Sequence, residues 1–325
     1  MAVTATSHLA LLERESDIYV VCERATNLAE SVGFDRYACA DIETAISEIC
    51  SNAIRHADGG WVATRVLGSR FEVETTDHGP GFDAPRKATP GLGIGLEGAR
   101  RLMGELTITH LADGTRVRMS RPLPGIGRSE LRSSAWSVSA AFRTKGTEIV
   151  SGDSMRCVEH EDGSVRVFLA DGLGSGPHAA VASRQAVESM ARTPSVDLHK
   201  ALAAADTDTR STRGSAVAAV HVGADGRGVH AAIGDVNCQV TTASEPFLSD
   251  PGVVGMGVSE TKETTFDLPE GAAVLLWTDG LRSPDNERRR LILAASDDLG
   301  GIEKAVLELG NPADDGSLIV VRRKR

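Results

Sequence analysis

The stretch Val165-Arg-Val-Phe-Leu-Ala-Asp-Gly172 is a largely apolar run that ends in an aspartate and a glycine. The same pattern recurs further along the chain at Ala273-Val-Leu-Leu-Trp-Thr-Asp-Gly280. A short apolar run bounded by a turn residue is typical of a buried β-strand. We therefore expect two buried strands that carry Asp171 and Asp279 to their ends, with both carboxylates pointing into a shared cleft.

Two further acidic motifs accompany these runs, Ser151-Gly-Asp153 and the pair Asp314-Asp315. A single Asp-Gly pair is most often only a turn, and we interpret Asp162-Gly163 in that way. The four motifs differ because each lies beside an apolar run. Magnesium and manganese prefer oxygen ligands, and two such ions together can activate a water and neutralise a phosphate. The set therefore indicates metal-assisted hydrolysis.

A different chemistry is indicated near the start of the chain. An amphipathic helix is predicted over residues 41–57, with Asp41 as its N-cap. Glu48 and Asn52 lie four residues apart, so they occupy one edge of this helix. Taken alone, they are most simply a pair of surface polar residues. The alternative is that the carboxylate orients a nucleophile while the amide oxygen holds a hydrated magnesium ion.

Two glycine motifs favour the second interpretation of that helix. Asp77-His-Gly-Pro-Gly81 follows an alternating strand, where a carboxylate can accept from an exocyclic amine and glycines let a planar base approach the backbone. Gly91-Leu-Gly-Ile-Gly95 runs directly into a helix, whose free N–H groups form an anion site. A Rossmann interpretation fails because no strand immediately precedes these glycines. Three motifs in this order predict a nucleotide site.

Composition limits the remaining possibilities. At 325 residues the chain is long enough for two domains, and its net charge of −10 argues against a nucleic-acid partner. We find neither a long apolar run nor a signal peptide, which predicts a cytoplasmic protein without a membrane partner. Five scattered cysteines indicate reduced thiols and no zinc site. The basic clusters at 288–290 and 322–325 are either solvated surface or a docking patch for an acidic partner.

The segment Pro122-Leu-Pro-Gly-Ile-Gly127 is the clearest break in composition. We predict an N-terminal domain over 1–121, a linker over 122–132 and a C-terminal domain over 133–325. The fold class is α+β, with helices on one face of an antiparallel sheet in the first domain. The second domain is predicted to contain sheets packed together under helical layers, with one of its strands at 147–151.

The N-terminal motifs resemble the GHKL (Bergerat) ATPase fold, and more narrowly the RsbT/RsbW group of serine kinases and anti-sigma factors. The resemblance covers about residues 10 to 120. It is carried by Ser47-Glu-Ile-Cys-Ser-Asn-Ala-Ile-Arg-His56, by the two glycine motifs, by the helix continuing to Met103, and by Gly114-Thr115. It implies an α/β sandwich that binds ATP with magnesium. Only residues 82–90 separate the glycine motifs, which is shorter than the usual lid.

This resemblance also implies roles for single residues. Glu48 would be the base toward a substrate serine, and Asn52 would hold magnesium. Asp77 would bind adenine. The remaining residues would shape the base pocket or surround the phosphates, namely Gly79, Gly81, Gly91, Gly93, Gly95 and Thr115.

The acidic motifs resemble the metal-dependent protein phosphatase (PPM) family, with the SpoIIE/RsbX branch most similar, over about residues 133 to 325. The resemblance implies an α-β-β-α sandwich and two Mn²⁺ or Mg²⁺ ions. Asp171 would bridge both ions and the Gly172 carbonyl would bind one. Asp279 and Asp314 would bind the second, with Asp315 as the alternate ligand if the register slips by one. Asp153 would hold its metal directly or through water.

Two departures from the PPM pattern are present in the sequence. Ser175 stands where a histidine is frequent, and Asp235 follows Gly234 where asparagine is common. Neither departure removes an expected ligand. Of the histidines near the motifs, we interpret His56, His78 and His178 as satisfied polar or loop residues, and His178 has the best claim to a supporting role.

Together the two resemblances imply a bifunctional signalling switch, a serine/threonine kinase joined to a phosphoserine/phosphothreonine phosphatase. The implied partners are STAS-domain proteins of a stress-response pathway, either RsbS/RsbR-like proteins or an anti-sigma antagonist, and a sigma factor. The alternative is a phosphatase that is regulated by, or fused to, a non-kinase ATP-binding module that holds such a partner.

Overall fold

The computed structural model describes residues 3–57, 59–79, 95–124, 135–146, 148–194, 196–258, 261–294 and 299–324. Within these ranges no helix has both the length and the apolar character needed to cross a membrane. The chain forms two compact units, residues 7–130, and residues 131–325 together with 1–6. The predicted linker over 122–132 falls largely outside the described residues, so the predicted domain boundaries stay a prediction.

The N-terminal unit is built on an antiparallel sheet with helices on one face. Its elements are β1 (Val3–Leu12), α1 (Glu15–Ser31), α2 (Arg36–Ala57), β2 (Gly60–Leu67), β3 (Arg70–Asp77), α3 (Gly95–Met103), β4 (Glu105–Leu111) and β5 (Gly114–Pro122). The strand order in this unit is β1-β2-β3-β5-β4. Apolar residues of all three helices pack with Phe71, Val73 and Met119 of the sheet. The predicted α+β fold is confirmed.

Helix α2 starts earlier than the sequence predicts. The predicted N-cap, Asp41, lies inside the helix and pairs with Arg121 at 3.2 Å between Oδ2 and Nη1. The cap is Asp35, whose Oδ1 accepts from the N–H groups of Tyr37 at 3.0 Å and Ala38 at 2.8 Å. The prediction of Asp41 was wrong because the apolar stripe locates the buried face of a helix but not its first turn.

The C-terminal unit contains two packed sheets. Its elements are β6 (Trp136–Arg143), β7 (Asp153–Glu159), β8 (Val165–Gly172), α4 (Gly176–Arg192), α5 (Leu198–Asp208), β9 (Ser215–Val222), β10 (Arg227–Ile233), β11 (Val236–Val240), β12 (Thr264–Asp267), β13 (Ala273–Thr278), α6 (Asn286–Ala294), α7 (Leu299–Leu309) and β14 (Gly316–Arg323). The strand orders are β11-β13-β14-β6 and β12-β10-β9-β8-β7. Alternate residues of both sheets meet in one core that includes Trp136, Leu169 and Leu276.

Helices cover the outer faces of these sheets. Residues of α4 and α5 such as Val187 and Leu202 pack with Phe168 and Val217, which point away from the core between the sheets. Helix α7 contacts β6 and β14. This arrangement gives helix, sheet, sheet and helix in sequence through the unit, so the predicted α-β-β-α sandwich is confirmed.

Among the described residues one predicted strand is absent and two strands are present that were not predicted. Residues 148–151 form no strand, although one was predicted over 147–151, because the following Gly152 N–H donates to the Asp315 side chain instead of a neighbouring strand. Strands β1 and β12 were not predicted. Both contain small or polar residues, and β12 is a four-residue edge strand with partly exposed side chains.

Candidate active sites

Two of the predicted metal ligands are direct neighbours across a strand pair. Strands β7 and β8 run antiparallel, and their register places Asp153 opposite Asp171. Like charges directly opposite each other in a sheet destabilise it. The pairing therefore has a cost at this point, and the structure must supply compensating groups or bind a cation there.

The compensating groups for Asp153 come from the facing sheet. The Thr278 hydroxyl at the end of β13 donates to Asp153 Oδ2 at 2.9 Å, and the Ser317 hydroxyl of β14 donates to the same oxygen. The Ser317 N–H in turn donates to Thr278 Oγ1 at 2.9 Å. Asp153 Oδ1 is buried and has no hydrogen-bond partner among the described residues. A buried, unpaired carboxylate oxygen is costly unless it binds a proton or a cation.

Asp279 and Asp314 interact electrostatically with the pair formed by Asp153 and Asp171. Burial raises the pKa of Asp171, and the charges of Asp153 and Asp279 raise it further. Burial also raises the pKa of Asp279, followed by the charge of Asp314. The pKa of Asp153 is raised by burial first and then by the charge of Asp315. An interaction between the Asp171 and Asp279 side chains adds to the raised pKa of Asp171 and partly lowers the pKa of Asp279.

The adjacent residues Asp314 and Asp315 have different surroundings. Both oxygens of the buried Asp315 are occupied, because Oδ1 accepts from the Lys145 N–H at 2.7 Å and Oδ2 from the Gly152 N–H at 2.8 Å. Asp314 is half-buried, and within the described part of the chain its Oδ1 accepts only from the Asp315 N–H, at 3.0 Å. Asp315 therefore fixes the loop that leads to Asp153, while Asp314 is the one whose charge acts on Asp279 and Asp171.

The glycines that follow Asp171 and Asp279 are required by close packing. A Cβ at Gly172 would lie 2.0 Å from the carbonyl oxygen of Ala179, at the start of α4. A Cβ at Gly280 would lie 1.7 Å from the carbonyl oxygen of Asp315. Real side chains do not tolerate such distances. The two Asp-Gly motifs are therefore packing points that bring α4 and the Asp315 segment next to the acidic cluster.

The acidic cluster fits divalent ions. It consists of Asp153, Asp171, Asp279 and Asp314, and it contains carboxylate oxygens, one of which is buried and unpaired. Burial, followed by repulsion from neighbouring carboxylates, raises the pKa values of Asp153, Asp171 and Asp279. In the described ranges no three acidic, histidine or cysteine side chains are grouped so that together they could hold a metal ion. Magnesium keeps several waters and needs only one or two carboxylates, so an open arrangement suits it.

The residues predicted to form a nucleotide site in the N-terminal unit are brought together in part. On α2, the Asn52 amide donates to Glu48 Oε1 at 3.3 Å. Asp77 ends β3 opposite Thr115, and its Oδ1 accepts from the N–H groups of Thr115 at 3.1 Å and Gly79 at 3.0 Å. Its other oxygen has no hydrogen-bond partner within the part of the chain described, so it can receive a donor such as an exocyclic amine.

Two glycines of the predicted nucleotide site, Gly79 and Gly95, lie among the described residues. A Cβ at Gly79 would lie 2.4 Å from the Ala57 side chain, so the glycine lets the Asp77 turn approach the end of α2. Gly95 begins α3 with a φ of 69° and open space where a Cβ would point. Gly81, Gly91 and Gly93 lie outside the described residues, so their predicted roles stay predictions.

Several contributors were missed by sequence reasoning. Thr278 and Ser317 adjoin the predicted ligands Asp279 and Asp315-Gly316, and hydroxyls beside acidic motifs were the available signal. Of the three histidines, His78 pairs with Asp113 at 3.5 Å, while His56 and His178 are exposed on helices. Arg289 is not a solvated surface residue, because it is buried and donates to the Ala243 carbonyl. All five cysteines are free thiols.

Comparison with known proteins assigns the two halves of the chain to different families. The family model described as "Histidine kinase-like ATPase domain" matches residues 12–121, and that of "Stage II sporulation protein E (SpoIIE)" matches residues 161–324. The serine/threonine-protein kinase RsbT of Bacillus subtilis (strain 168) is 32% identical over 116 residues, which cover 32% of this chain and 87% of RsbT.

Two solved structures share the fold of the C-terminal unit. RsbX in complex with magnesium has a TM-score of 0.52 at 18% identity and covers 59% of this chain and 98% of its own. A chain from the structure described as "The bacterial stressosome: a modular system that has been adapted to control secondary messenger signaling" has a TM-score of 0.52 at 23% identity, with 57% and 99% covered.

Fold and sequence thus define a kinase-like ATPase domain joined to a PPM-type phosphatase domain. The chain belongs to the stage II sporulation protein E (SpoIIE) family, and its N-terminal unit belongs to the RsbT-related histidine kinase-like ATPase domains. The combination predicted from the two motif sets is confirmed.

The carboxylate repulsion predicts a pH-dependent effect of Asp171→Asn. The pKa of Asp171 in the folded state is raised above its unfolded value of about 3.9, so the folded state binds more protons than the unfolded state. The stability therefore falls as the pH rises from about 3.9 to the folded-state pKa of Asp171. In metal-free protein at pH 8, Asp171→Asn should melt roughly 2–4 °C higher than the wild type, equivalent to about 1 kcal/mol. At pH 5 the difference should shrink. Thermal melting in the presence of a chelator measures the difference in melting temperature at both pH values.

Asp267→Asn is the matched control, because Asp267 is exposed on β12 away from the cluster. It should leave the melting temperature unchanged at both pH values. A variant Asp171→Asn that melts below the wild type at pH 8 would contradict the repulsion.

The hydroxyl contacts predict that Thr278→Val is destabilising despite its similar shape. Valine removes one donor to Asp153 and the acceptor for the Ser317 N–H, both in a buried site. We expect the free energy of unfolding to fall by about 1–3 kcal/mol in urea denaturation of the metal-free protein. The exposed Thr207→Val on α5 should change it little. Equal effects of the two variants would show that the buried hydroxyl has no special role.

Proposed function

We propose that this protein is a bifunctional signalling switch. Its N-terminal domain transfers a phosphoryl group from ATP to a serine or threonine of a partner. Its C-terminal domain hydrolyses the phosphate from the same partner or a related one. The observation that carries the proposal is the acidic cluster of Asp153, Asp171, Asp279 and Asp314, in the same chain as a nucleotide site built around Glu48.

The acidic cluster supports the phosphatase step. Two Mg²⁺ or Mn²⁺ ions, when bound, supply an activated water and neutralise phosphate charge. Asp171 would bridge the two ions and the Gly172 carbonyl would hold one of them. Asp279 and Asp314 would hold the other. Asp153 is oriented by Thr278 and Ser317, which leaves its Oδ1 for an ion or its water. The magnesium in the RsbX structure is consistent with this ion class.

The other half of the proposal concerns kinase activity. Phosphoryl transfer depends mostly on positioning and charge neutralisation. Glu48 lies on α2 beside Asn52, which would hold Mg²⁺, and Asp77, held by the N–H groups of Gly79 and Thr115, would accept from adenine. Glu48 would accept the proton of the substrate hydroxyl. The 32% identity to the kinase RsbT supports this assignment.

For partners we propose STAS-domain proteins of a stress-response pathway, and we place the protein in the cytoplasm. RsbT-like kinase and RsbX-like phosphatase domains in one chain support a substrate shared between opposing reactions. The similarity to a chain of the bacterial stressosome is in keeping with such a pathway.

A second candidate function is a phosphatase with a non-kinase ATP-binding module. One contact favours it, because Oε1 of Glu48 is already engaged by the Asn52 amide and so is less available as a base. In this case ATP would be a ligand that lets the N-terminal domain hold a STAS protein or a sigma factor. Partner binding would then require ATP, but no phosphate would be transferred.

Glu48→Gln tests the kinase assignment. The amide keeps the size and the contact with Asn52 but cannot accept a proton. After incubation with radiolabelled ATP and candidate STAS proteins, we expect at least a hundredfold less label on the partner, because general base catalysis contributes about 10²–10⁴-fold. ATP binding should be kept. Unchanged labelling would show that Glu48 is not the base, and no labelling even by the wild type would favour the binding module.

Asp171→Ala tests the phosphatase assignment in the same assay. After a manganese chase, the wild type should remove label from the partner, whereas the variant should have no measurable metal-dependent dephosphorylation. ATP binding and labelling should be unaffected, because the two sites lie in different units. Full dephosphorylation by Asp171→Ala would contradict the bridging role. Loss of ATP binding as well would contradict independent sites.

A further inference from the structure

Arg213 is an unpaired cation that precedes β9, at the end of the sheet where β8 carries Asp171. It is exposed, and no hydrogen bond or ion pair joins it to any residue that the structure describes. Many other arginines of the chain are paired, for example Arg156 with Glu188 and Arg118 with Glu74. A free guanidinium at the same end of the sheet as a group of carboxylates is therefore available to bind an anionic ligand.

Backbone contacts place Arg213 at the acidic end of the sheet. Strand β9 pairs with β8 so that Ser215 lies opposite Gly172, and the pairing continues with the Leu173 N–H donating to the Gly214 carbonyl at 3.0 Å. The Arg213 guanidinium then lies against Gly174, with Nη1 at 2.9 Å from the position of a Cβ there. Gly174 has a φ of 95° and no side chain, which leaves room for the guanidinium.

Two exposed apolar side chains flank this arginine. Leu173 is 40% exposed, and Met256 is 64% exposed. The Met256 methyl carbon lies 3.8 Å from the Cβ position of Gly214, so the methionine is next to the residue that follows Arg213. Exposed apolar side chains that group together beside a polar site mark a surface suited to contact with a ligand.

The turn that carries Met256 is held in place rather than loose. Ser215 and Val254 exchange two backbone hydrogen bonds of 3.0 and 2.9 Å. The buried Asp206 accepts at Oδ1 from the N–H groups of Gly255 at 2.8 Å and Gly257 at 3.0 Å. Rigid positioning lowers the entropy cost of binding, so this turn is suited to a preorganised contact.

We propose that Arg213 binds the phosphoryl group of the substrate, while Leu173 and Met256 contact apolar side chains that flank the phosphorylated residue. This inference rests on the proposed phosphatase function. The substrate is a dianionic phosphomonoester that must approach a cluster of carboxylates. Arginine suits the task because its planar fork can form two parallel hydrogen bonds to phosphate oxygens. The substrate class is thus a phosphorylated protein segment with apolar residues beside the phosphoserine or phosphothreonine.

Lys145 is the competing cation for this role. Its backbone N–H donates to Asp315, so it too lies beside the cluster. The lysine has a point charge and no fork, and the flanking apolar surface is on the side of Arg213. Variants of Arg213 and of Lys145 are therefore compared to show which of the two side chains binds the phosphoryl group.

The test compares Arg213→Ala, Arg213→Lys, Lys145→Ala and Met256→Ala with the wild type in saturating manganese. Two substrates are used, p-nitrophenyl phosphate and a phosphoserine peptide with leucines beside the phosphoserine. Arg213→Ala should reduce kcat/KM about tenfold to a hundredfold for both, mainly through KM, since a hydrogen bond to a charged group is lost. Arg213→Lys should recover part of this loss. Met256→Ala should weaken only the peptide reaction.

Arg227→Ala is the matched control, because Arg227 is exposed at the opposite end of the β9–β10 pair. It should behave as the wild type. Manganese titration should give the same affinity for Arg213→Ala and the wild type, which excludes collapse of the acidic cluster as the cause.

Three results would overturn the proposal: an unchanged kcat/KM in Arg213→Ala, an effect confined to the peptide, and a loss for both substrates in Lys145→Ala instead. The failure of the proposed function gives a different result. In that case the wild type itself would hydrolyse neither substrate in manganese.

Discussion

The burial of mutually repelling carboxylates between two sheets is the constraint on which the C-terminal unit depends. Asp153 and Asp171 face each other across a strand pair, and the charges of Asp279 and Asp314 add to the repulsion. Hydroxyls of the opposite sheet orient Asp153 but leave one of its oxygens unpaired. A folded protein retains such an arrangement when a ligand offsets the cost, and divalent cations have the required charge and oxygen preference.

This constraint explains the details around the cluster. Asp315 is used to fix the backbone at Lys145 and Gly152, so its neighbour Asp314 remains available to the cluster. Gly172 and Gly280 are needed because backbone from α4 and from the Asp315 segment approaches them closely. In the N-terminal unit a single carboxylate has the corresponding role. Asp77 holds the end of β3 beside β5 by accepting hydrogen bonds from the N–H groups of Gly79 and Thr115.

Much of this was predictable from sequence because strong periodicity and apolar runs locate helices and buried strands. The runs ending in Asp171 and Asp279 predicted both strands and the side of the sheets on which the carboxylates meet. The sequence did not predict β1, whose small and polar residues carry little pattern, or the cap at Asp35. It also could not separate Asp314 from Asp315, since only the three-dimensional backbone shows which carboxylate is already occupied. Thr278 and Ser317 were missed as contributors for the same reason, because their partner Asp153 is distant in sequence.

The central claim is that the acidic cluster is a two-metal site. Calorimetric titration of nucleotide-free protein with manganese tests it most directly, because it counts ions without requiring a substrate. The account predicts two ions bound per chain in the wild type, and loss of this binding in Asp171→Asn, since Asp171 would bridge both. Titration that detects no bound ion in the wild type, or the same two ions in Asp171→Asn, would contradict it.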